Sequence, residues 1–282
     1  MSVRIITDSG SDILPGELEG VDVLPLSIAF GATTYQDGVD LTHQRFYELL
    51  VESDELPTTG QVNPYAFEQA LDRAYAAGEE AVIVTLSSKL SGTHQSAMIA
   101  ASQAKGHVRV VDSLNVCVGE RILVELACRL AEKGLSAAQI ADQLETARYR
   151  VHVVALLDTL EYLRKGGRIS GAAGAVGELL AIKPVISVDE GRVVVLGKAR
   201  GSKNGRNLLN EQVKAAGGID FSMPLALGYA GLSRKLLDKY IADSRDLWNE
   251  GYPAGDLPVY TVGATIGTHV GPGAIALGFF RR

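Results

Sequence analysis

The chain has 282 residues, which is enough for one large or two ordinary domains. Its 33 acidic residues outnumber 27 Lys and Arg and give a formal net charge of −6. This balance argues against a nucleic-acid-binding protein, which would usually present a basic face. The apolar stretches are far shorter than the roughly 20 residues that cross a bilayer, and the start, MSVRIITDSG, lacks the features of a signal peptide. We therefore expect a globular, cytoplasmic protein.

Strands and helices alternate through the first half of the sequence. Thr42 and Asn63 are placed to cap two predicted helices, and Ser136 and Gln139 have capping-box spacing at the start of a third. Strands are predicted in the segments VRIITDS, EEAVIVTLS and HVRVVDS. Alternation of this kind with short links predicts a parallel sheet that is covered by helices.

The pattern changes near residue 151, where we place a boundary between an N-terminal domain, residues 1–150, and a C-terminal domain, residues 151–282. The segment KPVISVDEGRVVVLGKARG predicts a β-hairpin that turns at Asp189–Gly191. One helix is predicted over LSRKLLDKYIADSRDLWNEG, and strands over LPVYTVGAT and GAIALGFF. The predicted fold class is α/β, with a parallel sheet in the first domain and a mixed sheet containing the hairpin in the second.

The two cysteines are expected to be small buried hydrophobic residues. Cys117 and Cys128 both lie in NVCVGERILVELACRLAEKG, which is typical of one helix. Eleven residues of helix span about 16 Å, whereas a disulfide needs Cα atoms within about 7 Å, so this pair cannot form one. The sequence has neither a His-x-x-x-His nor a Cys-x-x-Cys pattern, and no metal site is expected.

The segment GGRISGAAGAVG resembles a phosphate-binding loop only superficially. A Walker loop ends in Gly-Lys-Ser/Thr, whereas Gly171 is followed by two alanines. A dinucleotide fingerprint follows a strand, whereas the element before this segment is predicted to be a helix. Gly171, Gly174 and Gly177 instead indicate a helix with one face of small residues, which lets another backbone or a slender apolar ligand come close.

The segment LSSKLSGT has the features of an anion-binding turn. It follows a predicted strand, and open α/β sheets bind ligands at the carboxyl ends of their strands. A helix that begins near Gly92 would offer free backbone N–H groups and a partial positive charge, and Ser91 would add a hydroxyl. A simpler interpretation is that Ser91 only caps its helix.

Two further segments carry polar residues beside predicted turns. PTTGQVNP presents Thr58, Thr59 and Gln61 just before a capped helix. GTHVGPGAIALGF places His269 among glycines, between two predicted strands, which indicates a tight turn with close backbone approach.

A serine hydrolase is an alternative that these residues leave open. Ser91 would be the nucleophile, His269 the base and an acid such as Asp8 the third member. The Gly-x-Ser-x-Gly motif of many hydrolases is missing, since Lys89 occupies the position of its first glycine. A triad is defined by geometry, so the sequence does not decide the question.

Taken together, these segments resemble the DegV family of bacterial fatty-acid-binding proteins, members of which serve as the acyl-carrying subunit of a fatty acid kinase. The matching segments occur in family order from residue 5 to residue 279 and so cover nearly the whole chain. They are ITDSGSD, PTTGQVNP, LSSKLSGTHQSA, VVDS, LEYLRKGGRISGAAGAVGELLAIKPVI, DEGRV, KAR and GTHVGPGAIALGF.

The resemblance implies a long-chain fatty acid between the two domains, with its tail in an apolar tunnel. It also implies that the carboxylate is bound by Thr59, Gly60, Ser91, Gly92 and His269. Such a protein would not be catalytic. It would present the bound carboxylate to an ATP-binding kinase subunit that makes the acyl phosphate.

The chain departs from the family pattern at one site position. Family members usually have Thr-Ser-Gln-Pro where this chain has Thr59–Val62, so a hydroxyl is replaced by the bare backbone of Gly60. Arg168 and Arg200 match positions that the family uses near the portal to dock the kinase subunit.

We expect a monomer that carries no cofactor other than its lipid and does not insert stably into membranes. The alternatives are a serine hydrolase acting on lipid esters through Ser91 and His269, and a sensor for another acidic lipid.

Overall fold

The computed structural model describes residues 2–53, 55–169 and 182–282. Its strands are distributed over three sheets. In chain order they are β1 (Val3–Asp8), β2 (Val21–Leu24), β3 (Ser27–Phe30), β4 (Thr33–Gln36), β5 (Thr58–Gly60), β6 (Glu80–Thr85), β7 (Val108–Asp112), β8 (Val151–Leu156), β9 (Ile182–Asp189), β10 (Arg192–Arg200), β11 (Ala226–Tyr229), β12 (Val259–Thr261) and β13 (Ile275–Phe280).

Helices connect most of these strands, together with short 3₁₀ turns at Ser9–Ser11 and Arg148–Arg150. In chain order they are α1 (His43–Glu52), α2 (Pro64–Ala76), α3 (Thr93–Gln103), α4 (Val118–Glu132), α5 (Ala137–Ala147), α6 (Glu161–Lys165), α7 (Gly201–Ala215), α8 (Lys235–Asp243), α9 (Arg245–Trp248) and α10 (Ala264–Val270).

The predicted α/β class is confirmed. The first sheet has the order β2-β1-β6-β7 with every pairing parallel. The second has the order β10-β9-β8-β13-β11-β12 and is mixed, with β11 and β12 parallel and the other pairings antiparallel. The predicted hairpin is β9–β10, and its turn residues Glu190 and Gly191 both have positive φ, as tight hairpin turns require. The two sheets draw their strands from either side of residue 150, and the domain boundary there stays a prediction.

The helix starts that depend on local capping are also confirmed. The side chain of Thr42 accepts the Arg45 N–H, and that of Asn63 accepts the Ala66 N–H. Ser136 and Gln139 form the predicted capping box at the start of α5. These caps use neighbours within three residues, so the sequence alone specifies them.

Four expectations need correction. Segment 21–60 contains β2 and a small antiparallel sheet, β4-β3-β5, that the sequence did not predict. His269 lies in the last turn of α10 and not in a turn between strands. The helix predicted over residues 232–251 is divided into α8 and α9 at Ser244. Cys117 precedes α4 with φ of 58° and so is outside that helix.

Helix α4 lies between the two large sheets and joins them into one layered structure. Most of its residues are buried, and it contacts strands of both sheets. Gly278 of β13 permits this approach, because a Cβ there would lie 2.8 Å from the Val118 carbonyl oxygen. Cys117 is buried and Cys128 half-buried; both thiols are free, and burial raises the pKa of each.

The predicted helix with Gly171, Gly174 and Gly177 lies outside the described residues. Within residues 2–53, 55–169 and 182–282, no helix has the length and apolar character needed to cross a bilayer. The same ranges contain no cluster of His, Cys, Asp and Glu side chains arranged to hold a metal ion.

Candidate functional site

A cavity of about 430 Å³ lies between residues from the two halves of the chain. Its volume is in the usual range for a small-molecule site. Most of its wall is aliphatic, with side chains from the first half facing others from the second. Examples are Leu26, Leu86, Val116, Val153, Ile186 and Ile266.

The five residues predicted to bind a carboxylate all line this cavity. Thr59 and Gly60 come from β5, Ser91 and Gly92 from the turn before α3, and His269 from α10. Three segments that are distant in sequence therefore meet at one place. Whether they bind a carboxylate stays a prediction.

His269 and Thr59 are joined by a hydrogen bond, with 2.9 Å between Nε2 and Oγ1. The other ring nitrogen, Nδ1, is buried without a hydrogen-bond partner among the described residues. It packs on Gly166, where a Cβ would lie 2.3 Å from it. A proton on Nδ1 would thus be buried unpaired, so we infer that Nε2 carries the proton and donates to Thr59. The Thr59 hydroxyl then keeps its own hydrogen for a ligand.

The imidazole of His269 is neutral at physiological pH. Burial, assisted by the positive charge of Arg168, lowers its pKa from 6.5 to about 4. His269 therefore acts on this site through its hydrogen bond and not as a cation.

Ser91 both supports the start of α3 and faces the cavity. Its Oγ accepts the Thr93 N–H at 3.2 Å and lies 3.0 Å from Thr93 Oγ1. Gly92 is the residue before the first turn of α3, and no side chain caps that position. The simpler interpretation of Ser91 as a helix-supporting residue is thus compatible with a role in the cavity.

Gln61 is a cavity residue that the sequence analysis noted only as a polar neighbour. Its Nε2 donates to Ser96 Oγ at 2.9 Å, which ties the end of β5 to α3. Its Oε1 lies 2.0 Å from where a Cβ on Gly92 would be. The glycine at position 92 was the one sequence signal for this role of Gln61, because the absence of a side chain there makes room for the Gln61 amide.

Gly60 is accommodated by a serine on the neighbouring strand. Ser27 pairs with Gly60 between β3 and β5, and a Cβ at position 60 would lie 2.3 Å from Ser27 Oγ. Ser27 Oγ therefore occupies the space that a side chain at position 60 would need.

Arg168 and Arg200 have different surroundings. Arg168 lines the cavity, and its guanidinium donates to the carbonyl oxygens of Leu90 at 3.2 Å and Gly166 at 2.6 Å. Arg200 is exposed at the end of β10 and is not among the described residues that line the cavity.

The hydrogen bonds of a serine-hydrolase triad are not formed among the described residues. Ser91 bonds Thr93, and His269 bonds Thr59. Asp8 is buried, and its carboxyl oxygens accept hydrogen bonds from the backbone N–H groups of Gly10 and Leu86. Burial raises the pKa of Asp8 to about 7.

The sequence model of the DegV family, described as "Uncharacterised protein, DegV family", matches residues 2–282. A DegV domain-containing protein of Deinococcus radiodurans is 34% identical over 287 residues, which cover 98% of each chain. The chain therefore belongs to the DegV family, as the sequence motifs predicted.

Two solved structures are similar over 100% of both chains. A DegV family protein from Thermus thermophilus, described by its fatty acid binding, has a TM-score of 0.88 at 32% identity. The fatty acid kinase (Fak) B3 protein of Streptococcus pneumoniae, solved with linoleic acid, has a TM-score of 0.85 at 23% identity. The second likeness is one of fold alone.

Proposed function

We propose that this protein binds a long-chain fatty acid in the cavity and presents its carboxylate to a kinase partner. The observation that carries the proposal is a cavity with an aliphatic wall, into which hydroxyls, an imidazole and a helix N-terminus project. An amphipathic anion with one head group and a long apolar tail fits this distribution of chemistry. The similar protein from Thermus thermophilus is described as binding fatty acid, which supports the same assignment.

The head group is held by neutral donors and one cation. The hydroxyls of Thr59 and Ser91 donate to the carboxylate, and Gly60 and Gly92, which line the same cavity, are proposed to add backbone N–H groups. Arg168 supplies positive charge from the cavity wall. A buried carboxylate is costly unless it is hydrogen-bonded, and each charge-assisted hydrogen bond contributes roughly 1.5–3 kcal/mol.

The tail supplies most of the affinity. Each methylene removed from water contributes about 0.8 kcal/mol, so a 16-carbon tail yields on the order of 10 kcal/mol before the costs of ordering it. The head-group residues therefore fix the orientation, with the carboxyl oxygen at Ser91 and Thr59, and the wall determines how tightly the lipid is held.

In this function the protein is a carrier and Ser91 binds without attacking. The partner subunit transfers the terminal phosphoryl group of ATP to a carboxylate oxygen, which yields an acyl phosphate and ADP. Arg168 and Arg200 are proposed to contact that partner. We propose that the carrier itself holds no cofactor other than the lipid.

Native mass spectrometry of the purified protein, followed by denaturing extraction, tests lipid binding directly. We expect one fatty acid per chain, released intact. If no fatty acid is found even after incubation with palmitate or oleate, the proposal is wrong.

Charge reversal tests the docking role. Arg200→Glu is expected to weaken acyl phosphate formation with the kinase subunit while fatty acid binding persists. Arg168→Glu should weaken both, because Arg168 also lines the cavity. Unchanged kinase-coupled activity in Arg200→Glu would contradict the docking assignment.

A serine hydrolase remains the second candidate because Ser91 and His269 line one cavity. It predicts turnover of a p-nitrophenyl ester that Ser91→Ala abolishes, and an acyl-Ser91 adduct detectable by mass spectrometry. The carrier function predicts neither ester turnover nor an acyl-Ser91 adduct, so the Ser91→Ala variant distinguishes the two functions.

A further inference from the structure

The N-terminus of α10 is held by a carboxylate from a distant loop. Asp37, which follows β4, is almost fully buried at 1% exposure. Its carboxylate accepts the backbone N–H groups of Ala264 at 3.1 Å and Thr265 at 2.9 Å, and the Thr265 hydroxyl at 2.5 Å. A negative charge at this end of a helix also interacts favourably with the helix dipole.

The same helix forms one wall of the cavity and carries His269. Thr265, Ile266, His269 and Val270 all line the cavity, and their spacing places them on one face of α10. The helix has seven residues and is therefore about 10 Å long. Because the helix is so short, a shift or rotation of its N-terminus would also move His269 and would lengthen the distance between His269 and Thr59.

Other contacts restrain α10 in different directions. Gly263, just before the helix, donates its N–H to Asp12 at 2.8 Å. At Gly267 the helix packs so closely on α1 that a Cβ would lie 2.5 Å from Phe46 Cε1. These contacts hold the helix against its neighbours. The two carboxylate oxygens of Asp37 accept hydrogen bonds from two successive residues at the start of the helix, which fixes the rotation of the helix about its axis.

We propose that Asp37 is a positioning residue for the lipid site, which sets the rotation of α10 so that His269 meets Thr59 and the helix presents its apolar face to the acyl chain. This inference rests on the proposed fatty-acid-binding function. Asp37 does not line the cavity. It acts on His269 indirectly, by fixing the orientation of α10.

The test compares Asp37→Asn with Glu120→Gln. Both variants change a buried carboxyl to an amide of the same shape, but Glu120 bonds Thr7 and has no contact with α10 among the described hydrogen bonds. NMR titration of the His269 ring, assigned with His269→Gln, reports whether the ring is still buried. Equilibrium dialysis with radiolabelled palmitate reports affinity.

We expect Asp37→Asn to raise the pKa of His269 from about 4 towards 6.5 and to weaken palmitate binding roughly tenfold. Glu120→Gln should change neither quantity, even if it changes stability. The inference is wrong if the titration and the affinity of Asp37→Asn match those of Glu120→Gln.

A second pair of variants, at Thr265, tests the inference if Asp37→Asn does not fold. Thr265→Val removes the hydroxyl that bonds Asp37 and that also lies 3.5 Å from Ser9 Oγ, whereas Thr265→Ser keeps both contacts. The pKa of His269 should rise in the valine variant and stay near the wild-type value in the serine variant; equal midpoints would overturn the inference. If the wild-type protein binds no palmitate, the proposed function fails, whereas these titrations still decide the role of Asp37.

Discussion

Two turns that follow neighbouring strands of the same parallel sheet have nearly the same sequence and opposite character. Ser9-Gly10-Ser11 follows β1, and Ser91-Gly92-Thr93 lies in the turn that follows β6, which pairs directly with β1. Each turn has a hydroxyl, a glycine and a second hydroxyl. Only the second lines the cavity.

The first turn already contains its own carboxyl group. Asp8, directly before it, is fully buried and accepts the N–H groups of Gly10 at 2.9 Å and of Leu86 at 2.9 Å. The corresponding position before Ser91 is Leu90, which cannot play that part. Asp8 supplies a carboxyl group to the first turn, whereas the second turn has only neutral hydroxyls and a half-buried helix start at Gly92. This difference is consistent with our proposal that only the second turn takes an anion from outside.

Giving the second turn its own carboxylate should have the largest effect. Ser91→Asp places a negative charge where we propose that the lipid head group binds. Two like charges about 4 Å apart repel by roughly 4 kcal/mol near a protein surface. We expect fatty acid affinity to fall at least a hundredfold, measured by displacement of a fluorescent fatty acid.

Ser91→Asn is the matched control, since it has the same shape without the charge and should weaken binding only modestly. Equal losses in the two variants would mean that shape and not charge determines binding at this turn.

Removing a single donor should have a smaller effect. Thr59→Val keeps the shape of the side chain but deletes the hydroxyl that bonds His269. A lost hydrogen bond to a charged group costs roughly 1.5–3 kcal/mol, so affinity should fall about ten- to a hundredfold. Thr59→Ser keeps the hydroxyl and should bind nearly as well as the wild type. Retained affinity in Thr59→Val would remove this residue from the proposed site.

The sequence predicted the elements whose signals are local. Thr42, Asn63 and the Ser136–Gln139 box cap helices through neighbours three residues away, and the apolar runs define the parallel strands. The small sheet was missed because β5 has three residues, and its partner, β3, lies about thirty residues earlier.

Helix α10 was missed for a related reason. Its sequence, ATIGTHV, contains one Gly and four β-branched residues, all of which have low helix propensity. Asp37 and Asp12 stabilise its start from far away in the sequence. The cavity residues were named from motif resemblance, but the bonds that orient them, such as Gln61 to Ser96, depend on tertiary structure.

The first turn has a second carboxyl beside it, which sharpens the contrast further. Glu120 Oε1 accepts the Thr7 hydroxyl at 3.2 Å, and Oε2 is buried with no hydrogen-bond partner among the described residues. Burial, together with the charge of Asp8, raises the pKa of Glu120 well above 4.5, so the folded protein holds this proton after the unfolded chain has lost it. The contribution of Glu120 to wild-type stability therefore falls as pH rises above 4.5, until the folded group itself ionises.

Glu120→Gln should remove this dependence, because glutamine has no proton to lose. We therefore expect the stability of the variant relative to wild type to rise between pH 4.5 and pH 8, as the unfolded wild-type chain loses its proton. Urea unfolding at the two pH values measures the difference. A constant difference at both pH values would show that Glu120 ionises normally in the folded state.

The pair Gly60 in β5 and Ser27 in β3 offers the test with the smallest expected effect. Because Ser27 Oγ occupies the space beside Gly60, Gly60→Ser alone should force the Ser27 side chain off its rotamer and cost about 0.5–1.5 kcal/mol. Ser27→Ala alone should be nearly neutral. The double variant should recover the loss, since the new Cβ then has room, and a serine is less flexible than glycine in a strand.

A double-mutant cycle of unfolding free energies measures this coupling. Additive effects, within about 0.3–0.5 kcal/mol, would mean that the two positions are independent. Fatty acid affinity of the double variant then separates two roles for position 60. Tighter binding than wild type would mean that a hydroxyl there reaches the head group, so that glycine weakens the site. Unchanged binding would mean that the backbone at Gly60 is sufficient and that Ser27 compensates only for packing.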